Sequence, residues 1–137
     1  MAIVKFIPRK QPQTGAGLRA VLSYCGRSSK TEYEGRILVS GVNCLPASAY
    51  SEFMSTKLTY GKADGRQFYH LLQSFSEDER VTPATAHEIA LKLAAHFAGY
   101  ETLVCTHTDR GHIHSHFIIN SVSCETGYKY HADREEI

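Results

Sequence analysis

The chain has 137 residues, 42% hydrophobic and 21% charged, with a formal net charge of +1, a balance that suits one globular domain needing neither disulfides nor a structural metal to fold. No run of about 18 apolar residues is present, which excludes a membrane-spanning helix, and Met1 to Lys10 lacks the apolar stretch and cleavage site of a signal peptide; the expectation is a cytoplasmic protein without membrane insertion. Cys25, Cys44, Cys105 and Cys124 form no Cys-x-x-Cys pair, which argues against a zinc ribbon or a secreted disulfide framework and for reduced packing residues.

In chain order, residues 3–7 are a short β-type run ending at Pro8, and 11–17 read as a loop. Leu18, Val21 and Leu22 recur at helical spacing and predict a helix over 16–25. Residues 26–35 are polar and read as a mobile loop, and 36–40 as a strand. Pro46 opens a helix running to Tyr60, with Ala47, Tyr50, Phe53 and Met54 on one face; proline suits the first turn because its missing N–H would be unpaired there anyway. A turn over 61–65 leads into a strand over 67–75. Thr82 and Pro83 start a helix with a stripe of Ile89, Leu91, Leu93, Ala94 and Phe97, ended by Gly99. Residues 103–108 and 113–122 are strands joined by Asp109-Arg110-Gly111-His112, a tight hairpin with Arg110-Gly111 as its turn. The order β-α-β-α-β-α-β-β predicts one α/β (α+β) domain over 1–137, with a largely antiparallel central sheet and flanking helices. The pairing order of the strands does not follow from the sequence.

Charge is uneven. Residues 1–36 carry seven basic and two acidic side chains, while the remainder carries eight basic and twelve acidic ones. The N-terminal quarter is thus the candidate surface for phosphate contacts, with Arg27, Lys30 and Arg36 foremost and Arg9, Lys10 and Arg19 behind them. On charge alone a solvated basic face explains the pattern equally well.

The chemical centre is the histidine-rich hairpin. His107, His112, His114 and His116 fall within ten positions, and alternation on a strand points His112, His114 and His116 the same way. The hairpin sets His107 opposite His114 and Cys105 opposite His116, so imidazoles of His107, His114 and His116 can meet one metal ion. Three imidazoles leave coordination positions free, the pattern of a catalytic site. Histidine ligation suits Mn, Zn, Ni, Co or Cu. Asp109 is a candidate to hold a ring N–H from behind the ligands, or else a plain turn aspartate. His112 is a candidate ligand, DNA contact or bystander, and Asn120 a candidate to bind phosphate or orient a ligand. Glu88 on its helix is a further candidate to orient a ligand, and equally a surface residue. His70, among aromatic and apolar neighbours, reads as structural, His96 as a helix-surface residue, and His131 as a DNA contact or a terminal bystander.

His107-x-Asp109, His114-Ser115-His116 and Asn120 together resemble the third motif of the plasmid and transposon mobilisation relaxases, the MobA/VirD2-like family of the HUH endonucleases. The segment Gly17 to Tyr24 with Lys30-Thr31 is similar to the N-terminal tyrosine motif of that family, and Leu38 to Cys44, Tyr69 to Phe75 and Ala86 to Ala90 are similar to its intervening blocks. Ser115 stands where the name of the superfamily calls for a hydrophobic residue, and family members continue past residue 137, which implies a domain truncated at its C-terminus. The resemblance implies a fold of the HUH type and a DNA relaxase that nicks one strand at a transfer origin. In it Tyr24 is the nucleophile, His107, His114 and His116 are catalytic, and a divalent metal, Mn or Mg in use with Zn, Ni or Co also accommodated, serves as cofactor. Tyr33, in the neighbouring polar loop, is the second choice of nucleophile. Implied partners are single-stranded transfer-origin DNA, accessory mobilisation proteins and a conjugative coupling protein. The competing readings are a catalytically inactive, metal-stabilised DNA-binding module and a water-using metal-dependent phosphodiesterase.

Overall fold

The elements run β1 (Ile3–Phe6), α1 (Gly15–Cys25), α2 (Ser28–Thr31), β2 (Glu32–Tyr33), β3 (Arg36–Ile37), β4 (Val39–Val42), a 3-10 turn at Pro46–Ser48, α3 (Ala49–Thr59), β5 (Phe68–Ser74), α4 (Pro83–Ala94) with a 3-10 extension at Ala95–Phe97, β6 (Thr102–His107) and β7 (His114–Asn120). The computed structural model describes residues 2–8, 13–109 and 111–130; the expectations for Arg9, Lys10, Arg110 and His131 fall outside them. Five strands form one sheet in the order β1-β5-β7-β6-β4, with every pairing antiparallel. The expected mixed, largely antiparallel architecture is what the chain adopts, and β7, at the centre of the sheet, pairs with β6 as the histidine hairpin and with β5 on its other side.

Local chemistry sets the helix starts. Thr14 caps α1 by accepting the Gly17 N–H at 3.0 Å, and Thr82 caps α4 by accepting the Thr85 N–H at 3.1 Å, with Pro83 in the first turn. Residues 26–35, expected as a mobile loop, hold α2 and the start of a two-stranded hairpin instead. The Thr31 hydroxyl donates to the Arg27 carbonyl at 2.9 Å, Leu38 N–H to the Thr31 carbonyl at 2.8 Å, and Thr108 N–H to the Lys30 carbonyl at 2.6 Å. These bonds pin a polar segment to the end of β6. Between β2 and β3, Glu34 and Gly35 both take positive φ, 48° and 78°, the geometry of the tight hairpin turns whose twist matches that of strands.

Two cores sandwich the sheet. On one face Leu18, Leu22 and Cys25 of α1 and Ala49 and Phe53 of α3 pack on Leu103, Cys105 and Ile118. On the other, Ala90 and Ala94 of α4 and Phe97 pack on Leu71, Val104, Phe117 and Ile119. The stripe of α4 differs from expectation. Ala86, Ala90 and Ala94, four apart and fully buried, face the sheet, while Ile89, Leu91 and Leu93 lie at the flanks; small residues on that line let the helix approach closely. Among the described residues no helix is long and apolar enough to cross a membrane.

Candidate active site

Strand alternation puts His114, His116, Ile118 and Asn120 of β7 on the face that α1 and α3 cover. The β6–β7 register sets His107 opposite His114 and Cys105 opposite His116, the pairing anticipated for the hairpin. Near the last turn of α1 that face borders an open cleft, lined by the half-buried His114 and His116 and by the buried His107. On the far side of β7, strand β5 sets Leu72 opposite His116 and His70 opposite Ile118, so His70 joins the same face. Ring centroids of His107 and His116 lie 4.3 Å apart, and those of His70 and His116 5.0 Å apart.

Tyr24, Lys30, Asp109, His107, His114 and His116 line one open cleft of about 220 Å3. Two of the three histidines have one ring nitrogen committed to the backbone. His107 donates from Nε2 to the Cys25 carbonyl at 3.0 Å, and His114 from Nδ1 to the His112 carbonyl at 3.1 Å. A carbonyl only accepts, so each neutral ring keeps a lone pair on its other nitrogen, which is how metal-binding imidazoles are set up. His116 Nδ1 lies 2.8 Å from His70 Nε2. Burial, reinforced by the neighbouring His107, pushes His116 down to about 3 and His70 to about 4, and burial also lowers His107. For His70, His107 and His116, burial thus favours the neutral ring, the form that ligates. This donor set suits a divalent transition metal. Among the described residues, the donors that converge within 4.8 Å of one another belong to Cys25, His70 and His116; the expected set of His107, His114 and His116 is not the one so gathered, but it is the one exposed to the cleft.

Tyr24 sits in the last turn of α1, 45% exposed, while Leu18, Leu22 and Cys25 on the opposite side of the helix are buried. Its ring meets His107 edge-on at 6.3 Å. Lys30 Nζ lies 4.8 Å from the Tyr24 ring centroid and the Arg27 guanidinium 5.5 Å from it. Lys30 donates to Asp109 Oδ2 at 3.2 Å. The Asp109 carboxylate, and after it the Tyr24 hydroxyl, raise Lys30 above the ordinary lysine value, so the cleft carries a fixed cation beside the phenol.

The remaining candidates are placed elsewhere. Asp109 accepts from Lys30, because the ring N–H groups it was expected to hold go to carbonyls. His112 is exposed at the bend, its Nε2 3.8 Å from Glu77 Oε1, and does not line the cleft. Asn120 is fully buried and its amide is spent on structure. It donates to the Phe53 carbonyl at 3.1 Å and Glu101 Oε1 at 2.8 Å, and accepts from the buried Lys57 ammonium. Glu88 is exposed on α4, across the sheet from the histidines. Arg27 flanks Tyr24. Arg36 lies in the β2–β3 hairpin opposite Tyr33, its charge adding to the burial that lowers His87, and Tyr33 does not line the cleft. Arg19 stacks over the Tyr50 ring at 4.2 Å.

Two histidines carry more than the sequence suggested. His70 could be found only by knowing that β5 pairs with β7. His87 is buried under the sheet: its Nε2 is 2.8 Å from Ser40 Oγ, its Nδ1 2.8 Å from Thr106 Oγ1, and Thr106 Oγ1 is 2.9 Å from Ser115 Oγ. This chain of hydroxyls explains Ser115. The residue between the two histidines faces α4, and its fully buried hydroxyl has a partner there.

Comparison with known proteins identifies relatives of the chain. The family described as "Relaxase: MobA/VirD2-like, nuclease domain" matches residues 24–137. The chain is 46% identical over 98 residues to a protein named "Protein rlx" from Staphylococcus aureus, covering 71% of this chain and 30% of that protein. A second "Protein rlx" from the same species is 43% identical over 98 residues, 71% of this chain and 31% of that protein. "Group II intron-interrupted relaxase LtrB" from Lactococcus lactis subsp. cremoris is 45% identical over 64 residues, 45% of this chain and 11% of that protein. The chain thus spans about 30% of the length of the first of these relatives, and no solved structure matches it. With the family match running from Tyr24 to the last residue, the chain belongs to the MobA/VirD2-like relaxase family, as part of its nuclease domain.

Proposed function

We propose that the chain is the catalytic core of a DNA relaxase that nicks one strand of transfer-origin DNA by transesterification to Tyr24. The observation that carries this reading is the single open cleft shared by Tyr24, Lys30 and the three histidines. The Tyr24 hydroxyl attacks the scissile phosphorus and loses its proton to solvent. The bond from phosphorus to the 3′ oxygen breaks, and that oxygen takes up a proton to leave as a 3′-hydroxyl. The product is a 5′-phosphotyrosine; one phosphoester replaces another, so the joint can be resealed. A phenol of pKa about 10 is a weak nucleophile at neutral pH. Lys30, held by Asp109, supplies positive charge where the phenolate develops. Arg27 beside Tyr24 is suited to a neighbouring phosphate. His107, His114 and His116 would hold a divalent metal, Mn or Mg in use. When bound, the metal supplies charge neutralisation at a non-bridging phosphate oxygen and orients the phosphate for in-line attack.

The test is to mix the protein and Mn2+ with labelled single-stranded oligonucleotides tiling the transfer origin of the element that encodes it, and to look for an SDS-stable adduct. The expected result is an adduct that is lost in Tyr24→Phe and with chelator. Cleavage that survives Tyr24→Phe without an adduct would point to activated water, and an adduct that survives it would move the nucleophile; either overturns the reading. Metal-dependent DNA binding with no cleavage, by this chain and by one of the relatives' full length alike, would leave a binding module.

A further inference from the structure

Each of the three histidines at the cleft has one ring nitrogen engaged from behind. For His107 and His114 the partner is a backbone carbonyl, Cys25 and His112 respectively. For His116 the partner is another histidine, with His70 Nε2 2.8 Å from His116 Nδ1. His70 is absent from the residues that line the cleft; it stands one strand over on β5, behind His116.

Resting on the relaxase reading above, we infer that His70 is a positioning residue that accepts the Nδ1–H of His116 and so fixes the tautomer that turns the lone pair on Nε2 of His116 toward the metal. The alternative is that His70 is itself a ligand with His116 and Cys25, whose donor atoms cluster within 4.8 Å. Geometry separates the two. Two nitrogens bound to one ion at roughly 2.1 Å in tetrahedral array stand about 3.4 Å apart, whereas 2.8 Å is a hydrogen-bond separation and needs a proton between the rings. A histidine acceptor also differs from a carbonyl. It accepts at Nε2 only while its own proton sits on Nδ1, so the pair admits two proton arrangements, of which one presents His116 for ligation. Outer partners of this kind typically change metal affinity by about 10- to 100-fold when removed.

The test begins on the metal-free protein, with long-range proton–nitrogen correlation spectra of the histidine rings. His116 is expected as the Nδ1–H tautomer and His70 as its acceptor; His116 as the Nε2–H tautomer overturns the inference. Calorimetric titration of Mn2+ into wild type, His70→Gln and His70→Leu then tests the role. The side-chain oxygen of Gln replaces the acceptor, so His70→Gln is expected to stay within about threefold of wild type while His70→Leu loses about 10- to 100-fold. Equal loss in both variants, or none in either, overturns it. A thiolate-to-cobalt charge-transfer band on adding Co2+ to wild type, which would mark Cys25 as a ligand, overturns it too. Should His70→Leu fail to fold, the wild-type spectra and His70→Gln still decide. The relaxase reading fails separately: a correct His116 tautomer with no tyrosyl–DNA adduct sinks that reading alone, and an adduct with the wrong tautomer sinks this one alone.

Discussion

Lys30 lies 3.2 Å from the Asp109 carboxylate and 4.8 Å from the Tyr24 ring centre, and in the proposed mechanism its charge acts on the phenol. Replacing it with Met should slow adduct formation by about 100-fold, the usual effect of removing one preorganised electrostatic partner. The rate should also recover in part at higher pH, because the deprotonation of a phenol then needs less help from a neighbouring cation. A pH–rate profile in single turnover checks both; a uniform loss at every pH would mean that Lys30 only binds DNA. At this scale the sequence was informative about His107, His114 and His116, because two-residue alternation and a tight hairpin place them without knowledge of the fold. It marked Lys30 as a candidate phosphate contact but not its place between Asp109 and Tyr24. A basic residue in a polar segment says nothing of its partner until α2 folds back, and its carbonyl takes the Thr108 N–H. Asp109 and Asn120 were legible as polar residues near the cluster, but not the groups they bond. Those are fixed by competition with carbonyls and with a buried lysine.

Among the elements, α4 shows how a helix can hold the hairpin from beneath. Its His87 joins Ser40 of β4 to Thr106 of β6, and Thr106 joins Ser115 of β7. Burial, with the Arg36 charge second, lowers the His87 pKa from the ordinary value of 6.5. The unfolded chain therefore takes up this proton first as pH falls. Stability attributable to neutral His87 is intact above pH 6.5 and declines below it until the folded pKa is reached, by about 1.4 kcal/mol for each unit separating the two values. His87→Gln should cost about 1–3 kcal/mol at pH 7.5 through lost bonds. It should then lose less than wild type between pH 7.5 and 5.5, as read by denaturant midpoints; parallel losses would place the titration elsewhere. The helices and long strands were readable from periodicity and capping residues, since those signals are local. The short β2–β3 hairpin and the alanine stripe of α4 were not, because each depends on what the element packs against.

For the molecule as a whole, a net charge of +1 conceals an uneven distribution along the chain, with seven basic and two acidic residues over 1–36. Arg27 and Lys30 stand beside Tyr24, whereas Arg36 lies in the β2–β3 hairpin and does not line the cleft. Binding of single-stranded DNA should weaken with salt, and Arg27→Ala should reduce the slope of log affinity against log salt by about 0.7, one phosphate contact, while Arg36→Ala leaves it unchanged. Fluorescence titrations at four salt concentrations would check this, and equal effects of the two substitutions would make the basic residues a diffuse field. The strand order β1-β5-β7-β6-β4, which the sequence did not disclose, brings β5 beside the hairpin and His70 with it. One peptide unit joins the proposed nucleophile, Tyr24, to Cys25, whose carbonyl receives the His107 proton at 3.0 Å. Attacking group and metal-facing ring are thereby surveyed from a common benchmark. The Cys25 carbonyl ties the last turn of α1 to His107 of β6, so one peptide unit and one hydrogen bond separate the phenol-bearing residue from the imidazole. In the proposed mechanism, the spacing of phenol and ring is therefore set at the junction of one helical turn with one strand end.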